Sequence, residues 1–297
     1  MVPALIEQVR SFNRSVTQTV GALQHDYLGR HRPLGESRLL FEIGIDGATA
    51  TELRQRLGLD SGYLSRLLRS LERQGLVETL PLTQDGRVRH AGLTRKGHAE
   101  LDSLNQDSDE LARSILAPLN EGQRERLAVA MSEVERLFSA SAVVIRPEPA
   151  TRAAAQYCLG EYYRELGERF DSGFDPELSL VPSLAEFAPP RGTFLVARLY
   201  GRPVGCGGLK PISAEAAYLK RMWIAPSARG LGLARRLLRA LEESARAMGY
   251  SVVRLETNKA LTEAQQLYRS SGYREVKPFN DERYAHHWFE KVLSLVT

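Results

Sequence analysis

From Pro3 to about Leu28, apolar residues recur every three or four positions (Leu5, Ile6, Val9, Phe12, Val16, Val20, Leu23), which is the spacing of an amphipathic helix. Helical stripes follow over LGESRLLFEIG, TATELRQRLG and DSGYLSRLLRSLERQG, the last with Asp60 or Ser61 as N-cap and Gly75 closing its C-terminus. The period then changes, and LVETLPLTQDGRVRHAGLT reads as two short strands around a Gln-Asp-Gly-Arg turn. Two long helices are predicted from Lys96 to about Leu116 and from Asn120 to about Phe138, parted by Pro118. The small residues and prolines of SASAVVIRPEPA place a domain boundary near Ser139 to Ala142, giving domains 1–141 and 142–297.

The second half has another rhythm. A strand over VVIRP, a helix over TRAAAQYCLGEYYRELGERF and a loop FDSGFDPELSLVPSL lead to GTFLVARLYGRPVGCGGLKP, a hairpin turning at Tyr-Gly-Arg-Pro. The strand EAAYLKRMWIAP runs into a glycine turn and a helix ending near Met248. Then come the strand SVVRLETN, a helix over LTEAQQLYRSSG, and strands near Tyr273 to Val276 and Ala285 to Leu293. Strands and helices mixed in this order imply an α+β domain.

Composition adds limits. A chain of 297 residues is more than one core usually fills, and 43% hydrophobic with 26% charged residues excludes wholesale disorder. No stretch approaches a membrane span and the N-terminus lacks a signal-peptide pattern, so a cytoplasmic protein without membrane contact is expected. Cys158 and Cys206 stand in unrelated contexts, which argues against a disulfide framework or a thiolate zinc site; no metal is expected, and His286 and His287 read as packed or solvated. The net charge of +4 is unevenly spread: residues 48–98 carry nine Arg or Lys against five acids, and residues 99–141 four Arg against nine.

Helix, helix, helix and hairpin, with the basic excess confined there, is the order of a winged helix-turn-helix. Ser61, Tyr63, Ser65, Arg66 and Arg69 lie on the helix that would enter the major groove, and Arg87 and Arg89 in the wing, so double-stranded DNA is the expected partner. The stretch DSGYLSRLLRSLERQGLVETLPLTQDGRVRHAGLTRKG resembles the MarR family, through Asp85-x-Arg87 in the wing, Leu93-Thr94, and Gly97 opening a long helix. That resemblance covers about residues 5–140 and implies a homodimer built from the terminal helices. Pro81 between Leu80 and Leu82 departs from the charged residues usual in the family's first wing strand.

The turn in RMWIAPSARGLGLARRLLR fits a phosphate. A Walker loop requires Gly-Lys-Ser or Gly-Lys-Thr where this chain has Gly232-Leu233-Ala234, and a dinucleotide fingerprint requires glycine where it has Arg235. What remains is Arg229, Gly230, Leu231, Gly232, Leu233 and Ala234, a stretch in which small residues let successive backbone amides at a helix N-terminus face a pyrophosphate. Arg229 and Arg235 add positive charge. From about residue 143 to 295 the chain resembles the GNAT N-acetyltransferase family: Arg229, Gly232 and Ala234 match its Arg-x-x-Gly-x-Gly/Ala pattern, and Asn258, Ala264, Leu267, Tyr268, Gly272 and Tyr273 fall on its downstream pattern, with Tyr in place of Phe at 273.

The resemblance implies a GNAT fold with a mixed central sheet, acetyl-CoA as co-substrate without metal, and a pantetheine arm bound by the backbone of KRMWIAP at Met222 and Ile224, with Trp223 between. It implies acetyl transfer to a primary amine of a small molecule or amino acid. Tyr268 is then the expected general acid for the departing thiolate, since a phenol of pKa ~10 donates to a thiol system of ~8.5. Carbonyl polarisation falls to a backbone N–H near Ile224. Glu256, Glu215 or a water relay are the candidate bases, and Cys206 lacks the histidine a nucleophile needs. For the acceptor, Asp171, Asp175 and Glu177 suit an amine, while Arg152, Arg164 or Arg191 suit a carboxylate. A regulator whose acetyltransferase half only senses acetyl-CoA, and a protein-lysine acetyltransferase, stand as alternatives.

Overall fold

The computed structural model describes residues 3–23, 27–81, 89–171, 173–179 and 183–293. The chain forms two compact units, Met1–Ser132 and Glu133–Thr297. In the first unit α1 (Pro3–Thr19) is shorter than its apolar stripe, because the chain turns at Gly21 with φ 67°. Then come α2 (Leu34–Ile43), β1 (Ala48–Thr49), α3 (Ala50–Leu57), α4 (Ser61–Arg73), β2 (Val77–Pro81), β3 (Arg89–Leu93), α5 (Arg95–Leu116) and the start of α6 (Glu121–Ala142), whose last residues belong to the second unit.

Asp60 caps α4 by accepting the Tyr63 amide at 2.8 Å, and Gly75 follows the helix at φ 70°. Leu64, Leu67 and Leu71 bury one face of α4 against Leu39, Leu40 and Leu53, leaving Arg66, Arg69 and Arg73 outside. A three-stranded sheet runs β1-β3-β2. Its first member is a two-residue strand, too short for any periodicity to reveal. Gly97 opens α5 against the end of the wing sheet, where a Cβ would lie 2.0 Å from the Leu76 carbonyl oxygen; no other residue fits. The segment around Ser139 to Ala142 is the last turn of α6 rather than a loop, and α6 runs directly into the next strand.

The second unit continues with β4 (Val143–Pro147), α7 (Ala153–Arg169), β5 (Thr193–Leu199), β6 (Arg202–Pro211), β7 (Ala216–Ile224), α8 (Leu233–Ala247), β8 (Val252–Thr257), α9 (Thr262–Ser270), β9 (Arg274–Val276) and β10 (His287–Val292). Its seven strands are ordered β4-β5-β6-β7-β8-β10-β9, antiparallel except for the parallel pair β7–β8. Alternation splits the sheet's two faces: Leu195 and Ala197 join the core under α8, whereas Phe194 and Val196 pack with Ala155, Cys158 and Leu159 of α7.

Two irregularities position the site. Opposite Gly207 the β6–β7 register shifts, and Arg221 takes φ 62°, a bulge in β7. The β7–β8 pairing covers only Ala216–Tyr218 with Val252–Arg254, so beyond Tyr218 the strands part and the outward backbone of β7 has no ladder partner on that side.

Candidate active site

Two connected spaces open where β7 and β8 part. The outer one is a groove of ≈ 640 Å³, within the range of small-ligand sites. Its walls are Met222, Trp223 and Ile224 of β7, the turn at Arg229, Gly230 and Gly232, the start of α8 at Leu233, Ala234 and Arg235, and Tyr268 of α9. Gly230 and Gly232 stand at φ 77° and 70°, left-handed conformations that favour glycine, and a Cβ on Gly232 would meet nothing within 4 Å. The turn therefore presents backbone amides to open space at the N-terminus of a helix of 15 residues, the arrangement that suits a diphosphate.

The side chains of this groove are less free than the sequence implies. Arg229 donates through Nε to the Ile224 carbonyl at 3.1 Å and pairs with Glu165, which also accepts Trp223 Nε1 at 2.9 Å. Burial would raise the Glu165 carboxyl, but these donors outweigh it and hold its pKa below the ordinary value. Arg229 is thus tied into the protein, fixing the turn to β7 and α7. Arg235 donates to Ser270 Oγ at 3.1 Å, and Arg236 to the Val143 carbonyl at 2.8 Å. Arg239, lining the same groove, has no hydrogen-bond or ion-pair partner among the described residues. Leu231 packs against the core rather than lining the groove.

The inner space is smaller, ≈ 90 Å³, and shares Tyr162, Leu166, Met222, Leu261, Ala264 and Tyr268 with the groove. Tyr268 is 6% exposed, edge-on to Tyr273 at 5.8 Å, and its hydroxyl makes no hydrogen bond among the described residues. Burial first, then the Glu256 carboxylate, push its phenol above the ordinary value, so it stays protonated at any working pH.

Around this pocket runs a polar network. Lys220 donates to Glu256 Oε1 at 2.6 Å and to Glu282 Oε2 at 3.2 Å; Tyr218 donates to the other oxygen of Glu256, and Ser179 to Glu282 at 3.0 Å. Asn258 lies here and not in the groove, its amide spent on the Tyr284 carbonyl at 2.7 Å and the Ala260 N–H at 2.8 Å. Its position orders the loop after β8.

Several expected acceptor residues lie elsewhere. Asp171 pairs with Lys259 on the surface, Asp175 caps the turn at Glu177, and neither these nor Glu177 line the pocket. Arg164 is paired with Glu161 and Glu168, Arg191 donates to the Ser213 carbonyl, and Arg152 precedes α7; all three stand outside. Glu215 is exposed at the β6–β7 turn, away from both spaces, which removes it as a base. Cys206 is fully buried and donates to the Arg221 carbonyl at 3.3 Å; burial raises its thiol, as an inert cysteine requires. His287 meets Glu275 at 2.6 Å, and among the described residues no cluster of His, Cys, Asp or Glu could hold a metal.

In the N-terminal unit Ser61, Tyr63, Arg66 and Arg69 are exposed along α4, with Ser65 half-buried and Arg66 stacked 5.7 Å over the Tyr63 ring. Arg66, Arg69 and Arg73 line a shallow concavity with Glu72. Arg89 is exposed and donates to the Thr79 carbonyl at 3.0 Å; Arg87 and Asp85 lie outside the described residues.

Comparison with known proteins agrees with both halves. The Acetyltransferase (GNAT) family model matches residues 159–273 and the MarR family model residues 30–88. A protein of Azospirillum brasilense named IAA acetyltransferase is 37% identical over an alignment covering 46% of this chain and 88% of its own. The chain belongs to the GNAT acetyltransferase family. An uncharacterised N-acetyltransferase of Schizosaccharomyces pombe is 31% identical over 40% of this chain and 74% of its own. A GNAT-family acetyltransferase structure from Staphylococcus aureus Mu50, 20% identical, overlays 52% of this chain and 100% of its own at a TM-score of 0.45. The protein is thus a GNAT acetyltransferase carrying a MarR-family domain, two domains of which the second has a mixed seven-stranded sheet. Among the described residues no helix is long and apolar enough to cross a membrane.

Glu165, Lys220, Arg221, Glu282 and Tyr162 are site residues that sequence reasoning did not single out. The one available signal was Lys220-Arg221 inside the otherwise apolar run AAYLKRMWI.

Proposed function

We propose that the C-terminal half transfers the acetyl group of acetyl-CoA to the primary amine of a small molecule, and that the N-terminal half binds double-stranded DNA as a homodimer. The observation that carries the first part is the Tyr268 hydroxyl, protonated and without a hydrogen-bond partner among the described residues, at the junction of a backbone-lined groove and a charged inner pocket. Acetyl-CoA supplies an acetyl group activated as a thioester. The amides from Gly230 to Ala234 hold its diphosphate, the unpaired edge of β7 at Met222 and Ile224 holds the pantetheine arm, and Arg235 and Arg239 add positive charge. Trp223 and Leu233 are buried and shape the groove, and Arg229 fixes it through Glu165.

From the inner pocket the amine attacks the carbonyl, which a β7 amide near Ile224 polarises. Tyr268 donates its proton to the sulfur as the C–S bond breaks. Both oxygens of Glu256 are occupied by Lys220 and Tyr218, so Glu256 attracts the ammonium form and water carries its proton away.

For the DNA half, exposed Ser61, Tyr63, Arg66 and Arg69 on α4 and Arg89 on β3 support groove and phosphate contacts. The apolar face of α1 (Leu5, Ile6, Val9, Phe12, Val16) has no buried residue and supports a dimer interface. The test is release of CoA thiol from acetyl-CoA with a panel of amines: turnover with a small amine is expected. No turnover despite acetyl-CoA binding favours a sensor instead. A salt-dependent shift of promoter DNA, weakened by Arg66→Ala, tests the other half.

A further inference from the structure

Arg221 is 5% exposed, yet it has neither an ion pair nor a hydrogen bond from its Nη2, which is buried. Its guanidinium rests 4.8 Å over the ring of Tyr163, and no carboxylate among the described residues is within ion-pair distance. A buried cation without an anion is costly, and removing one partner of a buried pair is among the most destabilising changes a protein suffers. Arg221 is held in this state at a bulge with φ 62°, lining the inner pocket. The same pocket is also lined by two buried carboxylates, Glu256 and Glu282, both paired with the ammonium of Lys220.

A pocket lined both by two carboxylates and by a guanidinium that has no ion pair among the described residues is complementary to a zwitterion. We infer that the acceptor is an α-amino acid whose carboxylate is received by Arg221 and whose ammonium enters against Glu256 and Glu282. The inference rests on the acetyltransferase reading and names the substrate class of that site. The acceptor's side chain has an apolar wall to lie on: Phe170, Phe174 and Tyr284 cluster with ring centroids 4.8–5.8 Å apart, and all three line the pocket. A neutral or aromatic amino acid fits this better than a charged one. Arg221 here determines specificity and takes no part in the proton transfers.

The experiment compares phenylalanine, phenylalanine amide and phenethylamine as acceptors for wild type, Arg221→Lys and Arg221→Met. Wild type should favour phenylalanine in kcat/KM, and Arg221→Met should shrink that preference by about 10- to 100-fold, the worth of a hydrogen-bonded charge. Arg221→Lys should keep part of it. Binding of N-acetylphenylalanine against its amide gives a readout that needs no turnover, with the same loss expected in Arg221→Met. The melting temperature of Arg221→Met should not fall, since an unmatched charge is removed; a drop of many degrees would mark a structural residue. If amines are acetylated without regard to the carboxylate, or the preference survives Arg221→Met, the inference is overturned while acetyl transfer stands. If no amine is acetylated the acetyltransferase reading fails, and equal binding of the two N-acetyl products then overturns the inference separately.

Discussion

The outer groove and the inner pocket meet at Tyr268 but are built in opposite ways. The groove is made of main chain: two glycines at positive φ, the start of α8 and an unpaired strand edge, with Arg229 turned to holding the turn in place. The pocket is made of side chains, a network of Lys220, Glu256, Glu282 and Tyr218 with Arg221 left unmatched. A groove of backbone amides suits a co-substrate whose diphosphate never varies. A pocket of buried charge suits a partner that must be chosen, because each unmatched group penalises a ligand that fails to answer it.

The contrast is broken most severely by removing the cation of the network. Lys220→Met leaves two carboxylates buried without their ammonium, and about 3–5 kcal/mol of stability should be lost, measured by denaturant unfolding. Survival of the fold with an unchanged midpoint would mean the network does not organise the pocket. In the groove the damage should be to affinity: Gly232→Val adds a branched side chain at φ 70°, and the dissociation constant for acetyl-CoA should rise about 10- to 100-fold while acceptor preference is kept. Smallest is the effect of the carboxylate that ties Arg229. The folded pKa of Glu165 is lowered, so its contribution is present above the unfolded value of ~4.3 and is lost as pH falls below that value. Glu165→Gln should therefore flatten the acid limb of a melting-temperature profile and leave the profile above pH ~6 parallel to wild type.

The same division explains what was legible in the chain. Gly230, Gly232, the capping of α4 by Asp60 and the close approach at Gly97 are local matters of φ, capping and space, and local chemistry is written locally. Tyr268 came with the pattern around it. Glu256 and Tyr268 were legible, but Tyr162, Lys220, Arg221 and Glu282 were not, because they come from α7, β7 and the segment before β10 and meet only through the fold. The loop acids Asp171, Asp175 and Glu177 form an acidic run near an expected entrance, yet the carboxylates that line the pocket are the buried Glu256 and Glu282. Arg152, Arg164 and Arg191 likewise lie outside the pocket that Arg221 lines, and the signal for Arg221 was a pair of cations in a strand whose other residues are apolar. The short reach of α1 and the strand β1 turn on one or two residues, too little for periodicity to register.

In the proposed reaction Tyr268 supplies the proton that lets the thiol depart. The direct measurement is kcat for CoA release in wild type and Tyr268→Phe at saturating phenylalanine, beside the acetyl-CoA dissociation constant of each. The expected result is a fall in kcat of about 10²- to 10⁴-fold with acetyl-CoA affinity within a few-fold of wild type. Equal kcat in the two proteins would contradict the assignment and leave Tyr268 a packed aromatic at the fork of β7 and β8.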